Sequence, residues 1–217
     1  MIDTDFVYSH HCSGERKGKT SVRRRILVID NDCDSLKLII DKLNLYDVDI
    51  KHWTECGRVL SGALDVGGYS LVILSPGRPI SVVKNQGELA LVSCATIPVI
   101  GICYGFQVIA HAYGGHLEKL DRKKFGAVRV QWVDTDHCID GATDFDAFGE
   151  HLYALRRISG SLKGLAWSVD GCEIIKVNNR LIYGVQFHPE LGGGAFAAAS
   201  RVFVSMVERL IEYDHCS

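Results

Sequence analysis

A thiol, an imidazole and a carboxylate stand at the ends of two apolar runs. In PVIGICYGFQ (98–107) the apolar residues Val99, Ile100 and Ile102 stop at Cys103, and Gln107, Val108, Ile109 and Ala110 open a helical pattern. Cys103 therefore lies where a buried strand becomes a helix. Gly101 and Gly105 flank it two places to either side, the spacing of a sharp strand-to-helix elbow at which larger side chains would collide. A helix N-terminus favours negative charge, so this position suits a nucleophilic thiolate. On spacing alone, a buried and inert cysteine is the alternative. In YGVQFHPE (183–190) a second apolar run ends in His188, Pro189 and Glu190. The proline imposes an extended step, so a base and a carboxylate leave the strand end together. Cys103 as nucleophile, His188 as proton carrier and Glu190 as the group orienting the imidazole would make a triad for covalent catalysis. A structural histidine is the alternative for His188 taken alone.

The elements that must position these groups alternate. ILVID (26–30), VDIKHW (48–53), YSLVILS (69–75) and IPVIGI (97–102) read as strands, with helices expected over 34–45, 56–64 and 83–95. That order predicts a parallel sheet with helices on both faces, and ligands in such sheets bind beyond the carboxyl ends of the strands. Asp30, Ser75-Pro76-Gly77 and Cys103 all fall there. Beyond Gly115 the strands expected at 125–133, 162–169, 172–177 and 181–187 look shorter and antiparallel, and a helix over 195–213 ends the pattern.

Composition narrows the class. With 217 residues, 47% hydrophobic and 23% charged, the chain can bury one sizeable core. Its eight cysteines form no Cys-x-x-Cys pair, and no apolar signal segment precedes them, which predicts free thiols in a reducing, cytoplasmic setting. No apolar run approaches the roughly 18 residues of a membrane span. A net charge of -2 points away from nucleic acid and membrane surfaces. Residues 1–24 read as a flexible basic arm without hydrophobic period, and 25–217 as the folded domain.

GICYGFQ followed by GVQFHPE resembles the class I, triad-type glutamine amidotransferases from about Arg25 onward. The resemblance implies hydrolysis of L-glutamine to glutamate and ammonia through a glutamyl thioester, with the ammonia delivered to a separate synthase or synthetase partner. It carries the catalytic roles onto Cys103, His188 and Glu190. It further implies that the backbone N–H groups of Gly77, in SPGRP, and of Tyr104 form the oxyanion hole, and that Gln107 contacts the substrate. His151, in FGEHLYAL (148–155), matches a position on the substrate side, with a surface histidine as the alternative. Arg78, where the family commonly has a small residue, is expected to face solvent or the partner. GICYGFQ, IYGVQFHPE and GGHLEK look closest to the GMP-synthetase-like branch, whereas IDN and SPG resemble the anthranilate and aminodeoxychorismate synthase branch.

The expected fold class is α/β: a flavodoxin-like open, mostly parallel sheet with helices on both faces and a smaller antiparallel extension in the second half. No metal and no other cofactor is expected. A stand-alone γ-glutamyl hydrolase of the same fold and a non-catalytic flavodoxin-like binding module are the other functional readings.

Overall fold

A computed structural model describes residues 24–77, 80–137, 139 and 143–213. Residues 1–23 of the basic arm, and Arg78, lie outside the described residues.

Among the described residues, nine strands form one mixed sheet, making the fold α/β. They are β1 (Arg25–Asn31), β2 (Asp47–His52), β3 (Leu71–Gly77), β4 (Val99–Ile102), β5 (His116–Trp132), β6 (Phe145–Arg157), β7 (Leu162–Trp167), β8 (Cys172–Val177) and β9 (Ile182–Val185). The order is β2-β1-β3-β4-β9-β8-β6-β5-β7. Pairings from β2 to β9 are parallel, and the remainder are antiparallel. The α-helices of the described residues are α1 (Leu36–Lys42), α2 (Gln86–Cys94), α3 (Tyr104–Ala112) and α4 (Ala197–Tyr213).

The inner parallel strands β1, β3, β4 and β9 are largely apolar because both of their faces are covered, whereas the edge strand β2, DVDIKH, has no buried residue. Ile26, Val28, Ile73 and Ile100 point into a layer shared with Ile39 of α1 and with Phe203, Met206 and Leu210 of α4. Leu27, Ile29, Val72 and Leu74 point the other way, onto Leu91 and Val92 of α2 and Phe106 and Ile109 of α3. α4 buries a stripe of Val202, Phe203, Met206, Val207, Leu210 and Ile211, the spacing of a helix with one apolar face.

Several expected elements change form. α1 is shorter than 34–45, and Ser35, a good capping residue, makes no side-chain cap and bonds Glu190 instead. The helix expected over 56–64 is a 3-10 segment, Trp53–Val59. Gly57 lies inside it and Gly62, at φ +70°, lies just beyond, and glycine disfavours continued α-helix. The single helix expected over 83–95 is a 3-10 turn, Val82–Lys84, followed by α2, with Asn85 accepting the N–H of Glu88 as the cap between them.

The antiparallel part departs furthest. β5 begins at His116 rather than 125, and β6 occupies 145–157, where no strand was expected. β7 pairs with β8 as well as with β5, so β8, β6, β5 and β7 close on one another like a small barrel rather than extending the sheet at its edge. Among the described residues, no helix is long and apolar enough to cross a membrane.

Candidate active site

β4 and β9 lie side by side and parallel, with Ile102 opposite Val185. Their carboxyl ends therefore deliver Cys103 and His188 to one place. Cys103 has φ 49° and ψ −95°, a left-handed backbone that an L side chain adopts only under strain. The N–H of Cys103 donates to Val185 O at 2.8 Å, and Cys103 O accepts from Gln107 N at 3.1 Å, which fixes the elbow from both sides. The flanking glycines are steric requirements: a Cβ on Gly101 would lie 2.4 Å from the backbone of Gly105, and one on Gly105 would lie 2.5 Å from Leu74 O.

His188 hangs from β6 through its N–H, which donates to Phe148 O at 2.8 Å. The ring is buried, with Nδ1 2.7 Å from Glu190 Oε1 and Nε2 3.4 Å from Glu150 O. Glu150 O also accepts from the Cys103 Sγ–H at 3.5 Å. Burial alone would lower the pKa of His188, but hydrogen bonds to Cys103 and Glu190, together with the negative charge those groups can carry, push it up. The site thus favours the charged imidazolium, with Glu190 at Nδ1. The Pro189–Leu191 turn brings Glu190 back under the ring, where its Oε1 also accepts from Ser35 Oγ at 2.8 Å.

The other expected residues lie on β3, α3 and β6. Gly77 ends β3 opposite Asn31, so closely that a Cβ would be 1.7 Å from Asn31 O. Tyr104 is the first residue of α3. Gln107 is buried one turn further on, its Nε2 3.4 Å from Gln186 Oε1 and 3.5 Å from Tyr153 O. His151 is not a surface histidine: it is 4% exposed on β6, and neither ring nitrogen has a hydrogen-bond partner. Burial lowers its pKa to about 4, so the ring is neutral.

Three contributors escaped sequence reasoning. Ser35 lies outside the motifs, and the Glu150 carbonyl, though in FGEHLYAL, is a backbone acceptor that leaves no trace in residue type. Gln186 lies within GVQFHPE, buried, with its Oε1 3.4 Å from Gln107 Nε2 and its own Nε2 unpartnered. Among the described cysteines, Cys56 and Cys172 are buried and their pKa values are raised by desolvation, Cys33 is half-buried and raised for the same main reason, and Cys94 is exposed. No group of three or more metal-ligating side chains is assembled among the described residues.

The family model for glutamine amidotransferase class-I matches residues 27–202. A glutamine-hydrolyzing GMP synthase subunit of Methanococcus maripaludis strain C6 is 37% identical over 122 residues, covering 55% of this chain and 64% of that protein. The subunit of the same name from Methanocaldococcus jannaschii is 35% identical over 124 residues, with 55% and 64% covered. The chain thus spans just under two thirds of the length of these curated relatives. A putative GMP synthase subunit from Thermoplasma acidophilum superposes with TM-score 0.76 at 20% identity over 90% of this chain and 98% of that one. A glutamine amidotransferase of Thermotoga maritima gives TM-score 0.68 at 17% identity, covering 88% and 99%.

Proposed function

The chain belongs to the class-I glutamine amidotransferase family, and from that premise we propose that it is a glutaminase subunit that hydrolyses L-glutamine and passes the ammonia to a separate synthetase. The observation that carries this reading is the buried His188, whose Nδ1 lies 2.7 Å from Glu190 Oε1 and whose Nε2 meets the same Glu150 carbonyl as the Cys103 thiol, beyond the ends of adjacent parallel strands.

In this reading the Cys103 thiolate adds to the side-chain amide carbonyl of glutamine. The oxygen of the tetrahedral adduct is held by the N–H groups of Gly77 and Tyr104. His188 protonates the departing nitrogen, the C–N bond breaks, and ammonia leaves a γ-glutamyl thioester on Cys103. His188 then takes a proton from water as the water attacks the thioester, and the thiolate is expelled as glutamate forms. Glu190 holds the ring orientation throughout and stabilises its charge. Gln107 and Gln186 offer amides to the substrate, and neutral His151 offers an unpartnered ring nitrogen.

The acceptor is read as a synthetase of the GMP-synthase kind, because glutamine-hydrolyzing GMP synthase subunits are prominent among the relatives. Residues 25–217 are taken as one cytoplasmic amidotransferase domain, and the five parallel strands with α1 and α4 on one face and α2 and α3 on the other as its flavodoxin-like core.

The test is glutamate release from glutamine, with and without the synthetase, by the wild-type chain and by Cys103→Ala. Activity that the substitution removes, and alkylation of Cys103 ahead of Cys94 by an electrophilic glutamine analogue, are expected. Hydrolysis surviving Cys103→Ala would refute the nucleophile. Efficient cleavage of γ-glutamyl peptides without any partner would instead identify a stand-alone hydrolase.

A further inference from the structure

Behind the proposed oxyanion hole lies a buried polar network that the reaction as written does not use. Glu88 of α2 is fully buried, and each of its carboxylate oxygens has a different amide partner. Oε1 accepts from Asn31 Nδ2 at 3.0 Å, and Oε2 accepts from Asn85 Nδ2 at 2.6 Å. Each amide continues toward one half of the hole. Asn31 Nδ2 also donates to Ser75 O at 3.0 Å and its N–H to Ser75 Oγ at 2.9 Å, while Ser75 Oγ donates to Pro76 O at 2.8 Å. The backbone of Asn31 is in turn packed against Gly77. On the other side, Asn85 Nδ2 donates to the Tyr104 hydroxyl at 3.1 Å, on the residue that follows the nucleophile.

Resting on the glutaminase reading above, we infer that Glu88 is the positioning residue of the oxyanion hole, its two oxygens setting the Gly77 loop and the start of α3 at a fixed separation. Two N–H donors on different elements stabilise an oxyanion only if their spacing is held before charge develops. A carboxylate does this better than an amide, because both oxygens accept and neither must be oriented. Among the described residues, no cationic side chain neutralises Glu88; the titratable groups set against it are Cys56 of the 53–59 segment and Tyr104 of α3. Burial raises its pKa to about 7, against the opposing pull of the Asn31 and Asn85 hydrogen bonds. Protonation would take one oxygen away from its amide, so the ionised form is the one that holds both donors.

The test is Glu88→Gln in the full chain, assayed for glutamine hydrolysis across pH 5.5–8.5 beside wild type, with the rate of Cys103 alkylation by iodoacetamide as a control on the nucleophile. A fall in kcat of about 10-fold or more with KM within about threefold is expected, since one mis-set donor costs up to about 10³-fold. Wild-type kcat should rise with pH through about 7, and that limb should vanish in the variant while iodoacetamide reactivity stays at the wild-type level. Wild-type kcat and pH profile in the variant would overturn the inference. So would loss of kcat and of thiol reactivity in equal measure, which is the mark of a collapsed site. If Glu88→Gln does not fold, Tyr104→Phe decides: it cuts the Asn85 tether alone, and an unchanged kcat overturns the inference while a severalfold fall at constant KM supports it. A wild-type chain that releases no glutamate even with its synthetase would bring down the glutaminase reading and this inference with it; equal hydrolysis by wild type and variant would bring down this inference alone.

Discussion

Glu190 and Glu88 are both buried glutamates, 4% and 0% exposed, yet they solve burial in opposite ways. Glu190 is paired with an imidazole whose pKa is raised, and takes a hydroxyl from Ser35 on the same oxygen. Glu88 has only amides, and burial lifts its pKa to about 7. A buried carboxylate with a cationic partner supplies charge to the reaction, whereas one with neutral partners supplies geometry and retains the ability to titrate. The first arrangement serves the proton carrier, and the second serves the frame around the oxyanion.

The sharpest way to break the contrast is to remove the cation. His188→Ala should lower kcat by on the order of 10⁶-fold, as much as Cys103→Ala, because the members of such a unit act together. It should also destabilise the fold, since Glu190 loses its partner at almost no exposure. A fold as stable as wild type would show that Glu190 needs no cation. Next comes Glu190→Gln, expected to cost on the order of 10⁴-fold in kcat through the wrong imidazole tautomer, with the pKa of His188 moving down in an NMR titration. A loss equal to that of His188→Ala would mean that Glu190 does more than orient and stabilise.

The third prediction concerns stability against pH. Glu88 binds its proton more tightly folded than unfolded, so between pH 4.5 and about 7 the native state carries the extra proton. Its contribution is therefore fully present below the unfolded pKa and is lost as pH rises through the folded one, a change on the order of 3 kcal/mol. Denaturant unfolding of wild type minus Glu88→Gln should show this fall over pH 4.5–7.5; a flat difference would mean the folded pKa is ordinary. The smallest effect should come from Ser35→Ala, which removes one hydrogen bond to Glu190, worth about 1 kcal/mol. That is roughly a fivefold loss in kcat, and no loss at all would show that His188 alone holds Glu190.

The two carboxylates also differ in how they could be read. Glu190 was visible because it lies two residues from His188 at the end of an apolar run, and Cys103 because glycines bracket it at an elbow. Local steric rules assign such positions, and the long sequence separation between the two motifs is closed by β4 and β9 pairing in parallel. Glu88 sits in QGELALVSC, where a glutamate in the first turn looks like an ordinary solvated helix residue. It is buried because α2 packs between the 53–59 segment and α3, and Gly87 lets that segment approach so closely that a Cβ there would be 2.7 Å from Gly57 N. β6 was missed for a related reason. Phe145, Ala147, Gly149 and His151 alternate with exposed or half-exposed residues, but Gly149 and His151 weaken the apolar signal of the buried face. The same burial removes the surface alternative for His151 and makes it a neutral ring on β6.

By itself, then, the sequence determined the alternation of strand and helix, the strained elbow at Cys103 and the placing of His188 and Glu190 at a strand terminus, because each follows from backbone sterics and apolar period within about ten residues. Only the tertiary structure decided that β7 closes onto β8, that Ser35 serves Glu190 rather than capping α1, and that Asn31, Asn85 and Glu88 meet behind the loop ending at Gly77. The free energy of a polar side chain depends on which groups share its burial, and those partners are brought in from other strands and helices.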